Sequence, residues 1–505
     1  MGNVELFQIK IVVCSIIKIH KIRLMKFIFF FLTAIFYTAS SAVGQSAKGY
    51  EIKVRIKNYE GDTLKLANYL EDKLYFQKSV VVQNGLATFK NDTALHGGMY
   101  AVYLNKEKTY VPILISKNEQ FFSIETEGPD YIKNLKFKGS ADNELNLKNM
   151  EFYMVMNTKA TPYLKILEEN KDKKNSNEYK AAVKALEAIG DDVKVYQQKI
   201  IEKHPASLTA KILKANLPLN LPETPKLSNG RPDSLFAWRY YRAHYFDGID
   251  LTDESLIYTD FFKKKITDYF DNYILPEPDS MLVAANEVIS KTLKNKEMYR
   301  YVVGTLLSYF EVSKYVCMDK VFVALTDKYY CGPNPPFPPS VLGDQKYIDK
   351  ICSHSNDMRL VRCGEIAPNI KLKSIDDEGK QQETELHQIK AKYILVFFWD
   401  PECGQCGKVS DKLVEYYNAF KQHGLHVYGI CTKSYDELNR CKEKIKDKKM
   451  QWTNYADPYY LAKAKMLYNI KTTPGIFLLD KDKKIILKKF EMDDLKRFLE
   501  TNNKK

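Results

Sequence analysis

Between residues 48 and 140 apolar and polar positions alternate with the two-residue period of half-buried strands, as at Ile52, Val54 and Ile56. Asn84-Gly85 separates the apolar runs 80–82 and 86–89, which predicts a two-residue hairpin turn. Further strand-like runs at 99–104, 111–115 and 121–124 complete an expected antiparallel β domain over 45–140. From 141 to 350 the period lengthens. Lys/Glu-rich segments such as 181–201 carry apolar residues at helical spacing, so a central helical domain is predicted. Pro205, Pro218, Pro222, Pro225 and Pro232 interrupt it, and the stretch 331–339, with five prolines, is a stiff non-helical segment near its end.

The last region, 351–505, changes pattern again. Residues 394–399 form a continuous apolar run, the signature of a strand covered on both faces. Val409, Leu413, Tyr416, Tyr417 and Phe420 then share one helix face. A second strand is expected at 425–430. Ser434 and Glu437 have the spacing of a reciprocal helix cap, and Asp457-Pro458 is another start signal. Strands at 476–479 and 485–487 flank the charged turn 480–484, and a helix follows near 492–499. The order, βαβα followed by ββα, predicts a thioredoxin-like α/β fold, so the chain as a whole reads as multidomain α+β.

Composition narrows the class. Apolar residues make up 45% and charged residues 28% of 505, which supports real cores and a prior of about three domains. The net charge is 77 − 63 = +14, but Lys10, Lys18, Lys21, Arg23 and Lys26 face only Glu5 within the first 44 residues. The remaining excess is dispersed, so no nucleic-acid groove is expected. Lys26, the apolar run 27–37 and the small-residue stretch 38–44 follow the order of a secretory signal peptide. Residues 1–44 are therefore read as a signal with the mature start near Gln45, and Met25 is a candidate true start. An uncleaved membrane tether is the alternative. The expected location is the periplasm or cell envelope, where unpaired thiols tend to oxidise.

Chemistry enters at Cys403-Gly404-Gln405-Cys406, which follows a buried strand and opens a helix. Helix-start amides and the positive end of the dipole favour a thiolate on Cys403. Cys406, one turn on, is placed to close a redox disulfide. A structural disulfide or half of a zinc site are the rival readings. No metal is expected, because no second Cys or His pair stands at ligand spacing; His423 and His426 flank a turn and are read as solvated. No organic cofactor is indicated.

Three motifs in order, Gly364-Glu365-Ile366-Ala367-Pro368, the segment from Phe398 through Trp399, Asp400, Pro401 and Glu402 to Cys406, and Thr472-Thr473-Pro474-Gly475-Ile476-Phe477, resemble the TlpA/ResA-type extracytoplasmic thioredoxin-like oxidoreductases. The resemblance covers about the last 140 residues. It implies that Cys403 is the nucleophile and Cys406 the resolving thiol. It further implies that Pro474 is a cis-proline opposite the pair, that Thr473 presents backbone to an extended substrate, and that Trp399 packs beside the site or serves as core. The implied partners are protein thiols and disulfides, with a membrane thiol carrier as candidate electron donor and reduction as the direction. The β and helical regions look like modules found ahead of such domains. Two departures stand out: Phe397 occupies the position of the buried Asp of thioredoxins proper, and Val409 that of a Glu in some ResA-like members. Asp400 or Glu402 are alternative proton carriers, against the simpler reading of surface carboxylates.

Six other cysteines, Cys317, Cys331, Cys352, Cys363, Cys431 and Cys441, allow 15 pairings. Cys441 shares a helical stripe with Leu438 and Ile445, which favours a buried thiol, although a bridge to Cys431 is open. Cys352 and Cys363 bracket the domain junction as a structural pair or a second relay. Two other functions compete with the oxidoreductase: a binding or scaffold protein whose N-terminal domains capture a partner, and a thiol peroxidase.

Overall fold

The computed structural model describes residues 49–503 apart from 60, 72, 105–108, 314 and 376–381, so the targeting segment expected at 1–44 lies outside the described residues. The chain forms two compact units that divide between Tyr269 and Phe270.

The first unit contains β1 (Tyr50–Lys57), β2 (Thr63–Leu70), β3 (Lys73–Val81), β4 (Leu86–Asn91), β5 (Gly98–Tyr103), β6 (Tyr110–Ile115), β7 (Phe121–Glu127) and β8 (Lys136–Lys138). They build two four-stranded sheets, β4-β1-β7-β8 and β3-β2-β5-β6. The alternation read at Ile52, Val54 and Ile56 puts all three in the core, each at 2% exposure or less. Pairing is antiparallel except between β1 and β7, which run parallel. The Asn84-Gly85 turn differs from the expected hairpin. Gln83 and Leu86 exchange backbone hydrogen bonds across it, with Asn84 and Gly85 both at positive φ, but β3 and β4 then part into different sheets. The strand β4 finds its ladder on β1, so the turn carries the chain from one sheet to the other.

The helices α1 (Ala141–Glu169), α2 (Asn177–Lys203) and α3 (Leu208–Asn216) follow, with α4 (Phe236–His244) after the proline-rich stretch. Ser140, Ser176 and Ser207 cap the first three by accepting a backbone N–H three residues on, satisfying one of the free donors of each helix start. The division between units falls within α5 (Phe262–Tyr273).

The second unit adds α6 (Pro278–Ser290), α7 (Lys296–Glu311), α8 (Asp319–Thr326) and α9 (Gln345–Arg359) to a seven-stranded sheet. Met298, Val302, Leu306 and Phe310, four residues apart, form the buried face of α7. The compact division thus cuts the stretch 141–350 that sequence periodicity reads as one helical region. Interactions that periodicity does not encode bind the later helices to the sheet. Cys317, just before α8, is bridged to Cys363, and Lys488 on the sheet edge pairs with Asp319 at 2.7 Å, both side chains nearly inaccessible. Gly364 N–H donates to the Ile485 carbonyl at 2.7 Å, and Ile485 N–H to that of Glu365 at 2.9 Å. Burial pushes the Lys488 amine below its usual range, against the opposing pull of Asp319.

Strands β9 (Lys371–Ser374), β10 (Glu383–Glu385), β11 (Tyr393–Trp399), β12 (Leu425–Cys431), β13 (Asn454–Ala456), β14 (Gly475–Asp480) and β15 (Ile485–Lys488) form the sheet in the order β10-β9-β13-β12-β11-β14-β15. Every residue of β11 is buried, as its uninterrupted apolar run predicts. The helices of this part are α10 (Gly404–Phe420), α11 (Leu438–Asp447), the short α12 (Ala464–Leu467) and α13 (Met492–Asn503).

Two start signals act differently from expectation. Ser434 makes no cap to the backbone; its hydroxyl donates to Glu437 at 3.2 Å, a 3-10 turn fills Tyr435–Glu437, and α11 begins only at Leu438. Asp457 starts no helix directly, and its carboxylate instead accepts the N–H groups of Ala462 and Ala464, fixing the loop that leads into α12.

Candidate active site

The site grows from the end of β11. This strand lies between β12, parallel to it, and β14, antiparallel. After Trp399 the chain turns through Asp400, whose backbone carbonyl accepts Cys403 N–H at 3.2 Å and whose side chain accepts Glu402 N–H at 2.9 Å. That turn brings Cys403 to the N-cap position of α10, with φ −77° and ψ 109°. Cysteine here does what an oxygen-bearing cap does elsewhere: Cys406 N–H donates to Cys403 Sγ at 3.1 Å. The free amides and dipole of the helix start therefore bear on this sulfur.

The two cysteines form a disulfide with Cα atoms 5.2 Å apart. They differ in access. Cys403 is half-buried, whereas Cys406 is 1% exposed and belongs to the sheet's core cluster. An attacking group reaches Cys403 first.

Thr473 and Pro474 arrive from the other side. Gly475 opens β14 opposite Phe398, so the preceding Thr473-Pro474 bond, which is cis, lies beside the end of β11. The Thr473 carbonyl oxygen stands 3.3 Å from Cys403 Sγ, and both Thr473 and Pro474 are half-buried.

Trp399 is 1% exposed, and its indole N–H donates to Asn454 Oδ1 at 3.1 Å. Its ring is thus enclosed in the core with its polar atom satisfied, which fits the core-aromatic reading, at the strand end that leads into the cysteine pair. Gly429 on β12 makes this possible: an added Cβ would stand 2.3 Å from Asn454 Oδ1 and 2.7 Å from the Trp452 indole nitrogen.

The carboxylates flanking the motif are committed to cations. Lys433, just beyond β12 and 11% exposed, reaches Glu402 at 2.8 Å, Asp400 at 3.3 Å and Glu437 at 3.5 Å, and Arg440 also binds Glu402 and Glu437. Hydrogen bonding to Lys433, then its charge and that of Arg440, holds the Glu402 carboxyl below the usual carboxylate range. Glu402 is thereby favoured in its ionised form and held in an ion-pair network at the surface. Phe397 is fully buried in the same cluster as Cys406, and Val409 packs partly buried against that cluster. Neither supplies a proton acceptor.

The remaining cysteines pair as Cys317–Cys363, Cys331–Cys352 and Cys431–Cys441, with Cα separations of 5.5, 5.9 and 6.4 Å. The Cys352–Cys363 association, one of the pairings the sequence left open, does not form. Cys352 lies within α9 against the turn that ends α8, while Cys363 follows α9 in the segment bonded to β15. Cys441 is buried as expected but bridged. It ties α11 to the end of β12, where Cys431 pairs in register with Trp399. His426 is not solvated: it sits on β12 with Nε2 buried and unpartnered, and burial lowers its pKa. Sequence reasoning missed Lys433, whose only signal was its place two residues past an apolar strand.

Residues 363–488 match the AhpC/TSA family, 168–335 a domain of unknown function designated DUF5106, and 50–146 another designated DUF4369. A curated relative, the thiol-disulfide oxidoreductase ResA of Oceanobacillus iheyensis, is 24% identical over 80 residues, or 16% of this chain; the chain spans 42% of the length of that relative. Among solved structures, a thioredoxin-like protein from Bacteroides caccae is 18% identical, covering 56% of this chain and 99% of that one, with a TM-score of 0.44. The thioredoxin domain of a thiol-disulfide oxidoreductase from Bacteroides vulgatus is 31% identical, covering 28% and 96%, with a TM-score of 0.25. With three sequence motifs, a buried central strand and a cysteine pair at the following helix start, residues 363–488 form a thioredoxin-like domain of the AhpC/TSA family that is similar to ResA, with extra N-terminal domains ahead of it.

Proposed function

We propose that this protein is an exported thiol-disulfide oxidoreductase that reduces protein disulfides through Cys403-Gly404-Gln405-Cys406. The observation that carries this reading is the asymmetry of the pair: an accessible sulfur accepting an N–H at a helix start, and a buried one a turn away. In the dithiol form the Cys403 thiolate attacks a substrate disulfide RS–SR′, forming a mixed disulfide and expelling R′S⁻. The Cys406 sulfur, on losing its proton, attacks Cys403 Sγ, expelling RS⁻ and closing the Cys403–Cys406 disulfide. Two electrons pass to the substrate, and two thiols leave once the released thiolates take up protons. Thr473 and Pro474 bind the substrate strand, with the Thr473 backbone as hydrogen-bonding edge. The similarity to ResA, together with the signal-like segment 1–44, supports a periplasmic or cell-envelope location, with a membrane thiol carrier as electron donor. An uncleaved tether at 1–44 is the alternative attachment.

The test of direction is the potential of the Cys403/Cys406 couple in glutathione buffers. A value near that of thioredoxin, about −270 mV, supports a reductase, and one near about −120 mV, as for DsbA, makes it an oxidant. Insulin reduction lost in Cys403→Ser supports the enzymatic reading; retained reduction overturns it.

A further inference from the structure

A groove of about 280 Å³ opens directly beside Cys403. Its floor exists because the helix start lacks side chains there: Gly404 and Gly407 lie three apart on one face of α10, and an added Cβ on Gly404 would meet nothing within 4 Å. Its walls are charged. Lys408 and Asp411 come from α10, Glu402 from the turn, and Lys444 and Lys448 from the end of α11.

Arg440, Lys444 and Lys448 recur every fourth residue, so they form one stripe along that helix, which the Cys431–Cys441 bridge ties to the sheet. Part of this charge is spent internally. Asp411 holds Lys448 at 2.8 Å, and Glu402 holds Arg440. Lys444 faces only Asp447 of its own helix, at 3.4 Å, and Lys408 has no ion pair among the described residues. The groove lining itself carries Lys408, Lys444 and Lys448 against Glu402 and Asp411, 3 − 2 = +1, Arg440 outside it being balanced by Glu402 and Glu437, and the dipole of the α10 start adds positive potential.

Resting on the oxidoreductase reading, we propose that this groove is a specificity site for substrate carboxylates, so that the protein prefers polypeptide disulfides whose reacting cysteine is flanked by acidic residues. A Glu or Asp beside the attacked sulfur would be drawn to Lys408 and Lys444 while the sulfur lies over Cys403. A Lys or Arg there would meet like charge, and opposed charges at such a rim act chiefly on encounter and selectivity. The exchange step is unchanged: the dithiol is oxidised, the acidic disulfide is reduced, and the carboxylate takes no part in bond making.

The test uses the full-length protein, reduced beforehand and mixed with three peptide disulfides identical except for Glu, Gln or Lys on both sides of the cysteine. The second-order rate of dithiol oxidation is followed by the mass shift of alkylated protein. At low salt the Glu peptide reacts about fivefold faster than the Gln peptide, with the Lys peptide slowest, and the spread shrinks in 0.5 M salt as screening lengths fall to a few ångströms. Lys408→Glu/Lys444→Glu inverts the order, and Lys408→Ala/Lys444→Ala erases it, so the claim does not depend on one variant. Equal rates for the three peptides, or an order that survives charge reversal, overturn the specificity site while leaving the oxidoreductase intact. Failure of all three, and of neutral hydroxyethyl disulfide, to oxidise the dithiol overturns both.

Discussion

Two regions of the second unit hold the same covalent bond in opposite settings. Around Cys317–Cys363 the bridge is packed with a buried ion pair and backbone bonds to β15, and Cys363 is 4% exposed. At Cys403–Cys406 one sulfur is half-open, caps a helix and borders a groove. A disulfide reacts when an attacking thiolate can reach one sulfur and the other can leave, so placement, not the presence of cysteine, separates the staple from the reagent.

The contrast breaks most visibly if the wrong pair carries the chemistry. Cys403→Ser should lower protein-disulfide reduction by at least about a thousandfold, since no second attacking thiolate occupies the helix start. Cys331→Ser/Cys352→Ser should leave the rate within about twofold, as that bridge takes no part in exchange. Insulin turbidity and thiol alkylation read both outcomes, and equal losses would erase the distinction.

The sealed region is sharpened by Lys488→Met. Removing the cation strands Asp319 in a dry setting, for which about 3–5 kcal/mol of lost stability is expected in urea titration, whereas Asp319→Leu/Lys488→Met should recover most of it. A loss below about 1 kcal/mol would show that water reaches the pair.

Smaller again is the cost of opening a staple. The Cys331–Cys352 loop separates residues 21 apart and the Cys431–Cys441 loop residues 10 apart. Chain-entropy reasoning gives losses of about 3.3 and about 2.7 kcal/mol respectively, with melting temperatures in the same order. A larger loss at Cys431–Cys441 would mean that this bridge does more than limit the unfolded chain.

The smallest effect concerns pH. Burial depresses the His426 pKa below its ordinary 6.5, so the unfolded chain binds more protons just below that value. Stability should therefore fall as pH drops below about 6.5 toward the depressed folded pKa, and His426→Gln should flatten that part of the profile in thermal melts. An unchanged slope would assign the acid sensitivity to other groups.

Much of the site was legible because it is local. A continuous apolar run means a strand with two covered faces, and a Cys-Gly-Gln-Cys segment followed by apolar residues at helical spacing means that the first sulfur meets a helix start. Those inferences need only neighbours along the chain. The Asn84-Gly85 turn shows the limit of that reach: its local geometry formed, but β3 pairs back onto β2 while β4 pairs with β1, where Leu86 stands opposite the distant Arg55, so the turn does not close a two-stranded hairpin. Lys433 and Lys444 likewise carry no local mark of lying beside the turn that holds Cys403.

Strand and helix periods, the helix-opening cysteines and the proline before Gly475 were thus set by the sequence itself, through steric and hydrophobic preferences acting over a few residues. The pairings Cys317–Cys363, Cys331–Cys352 and Cys431–Cys441, the burial of Trp399 against Asn454, and the lysine wall beside Cys403 were decided only when distant segments packed. A contact energy depends on separation in space, which the order of residues leaves open until the chain is compact.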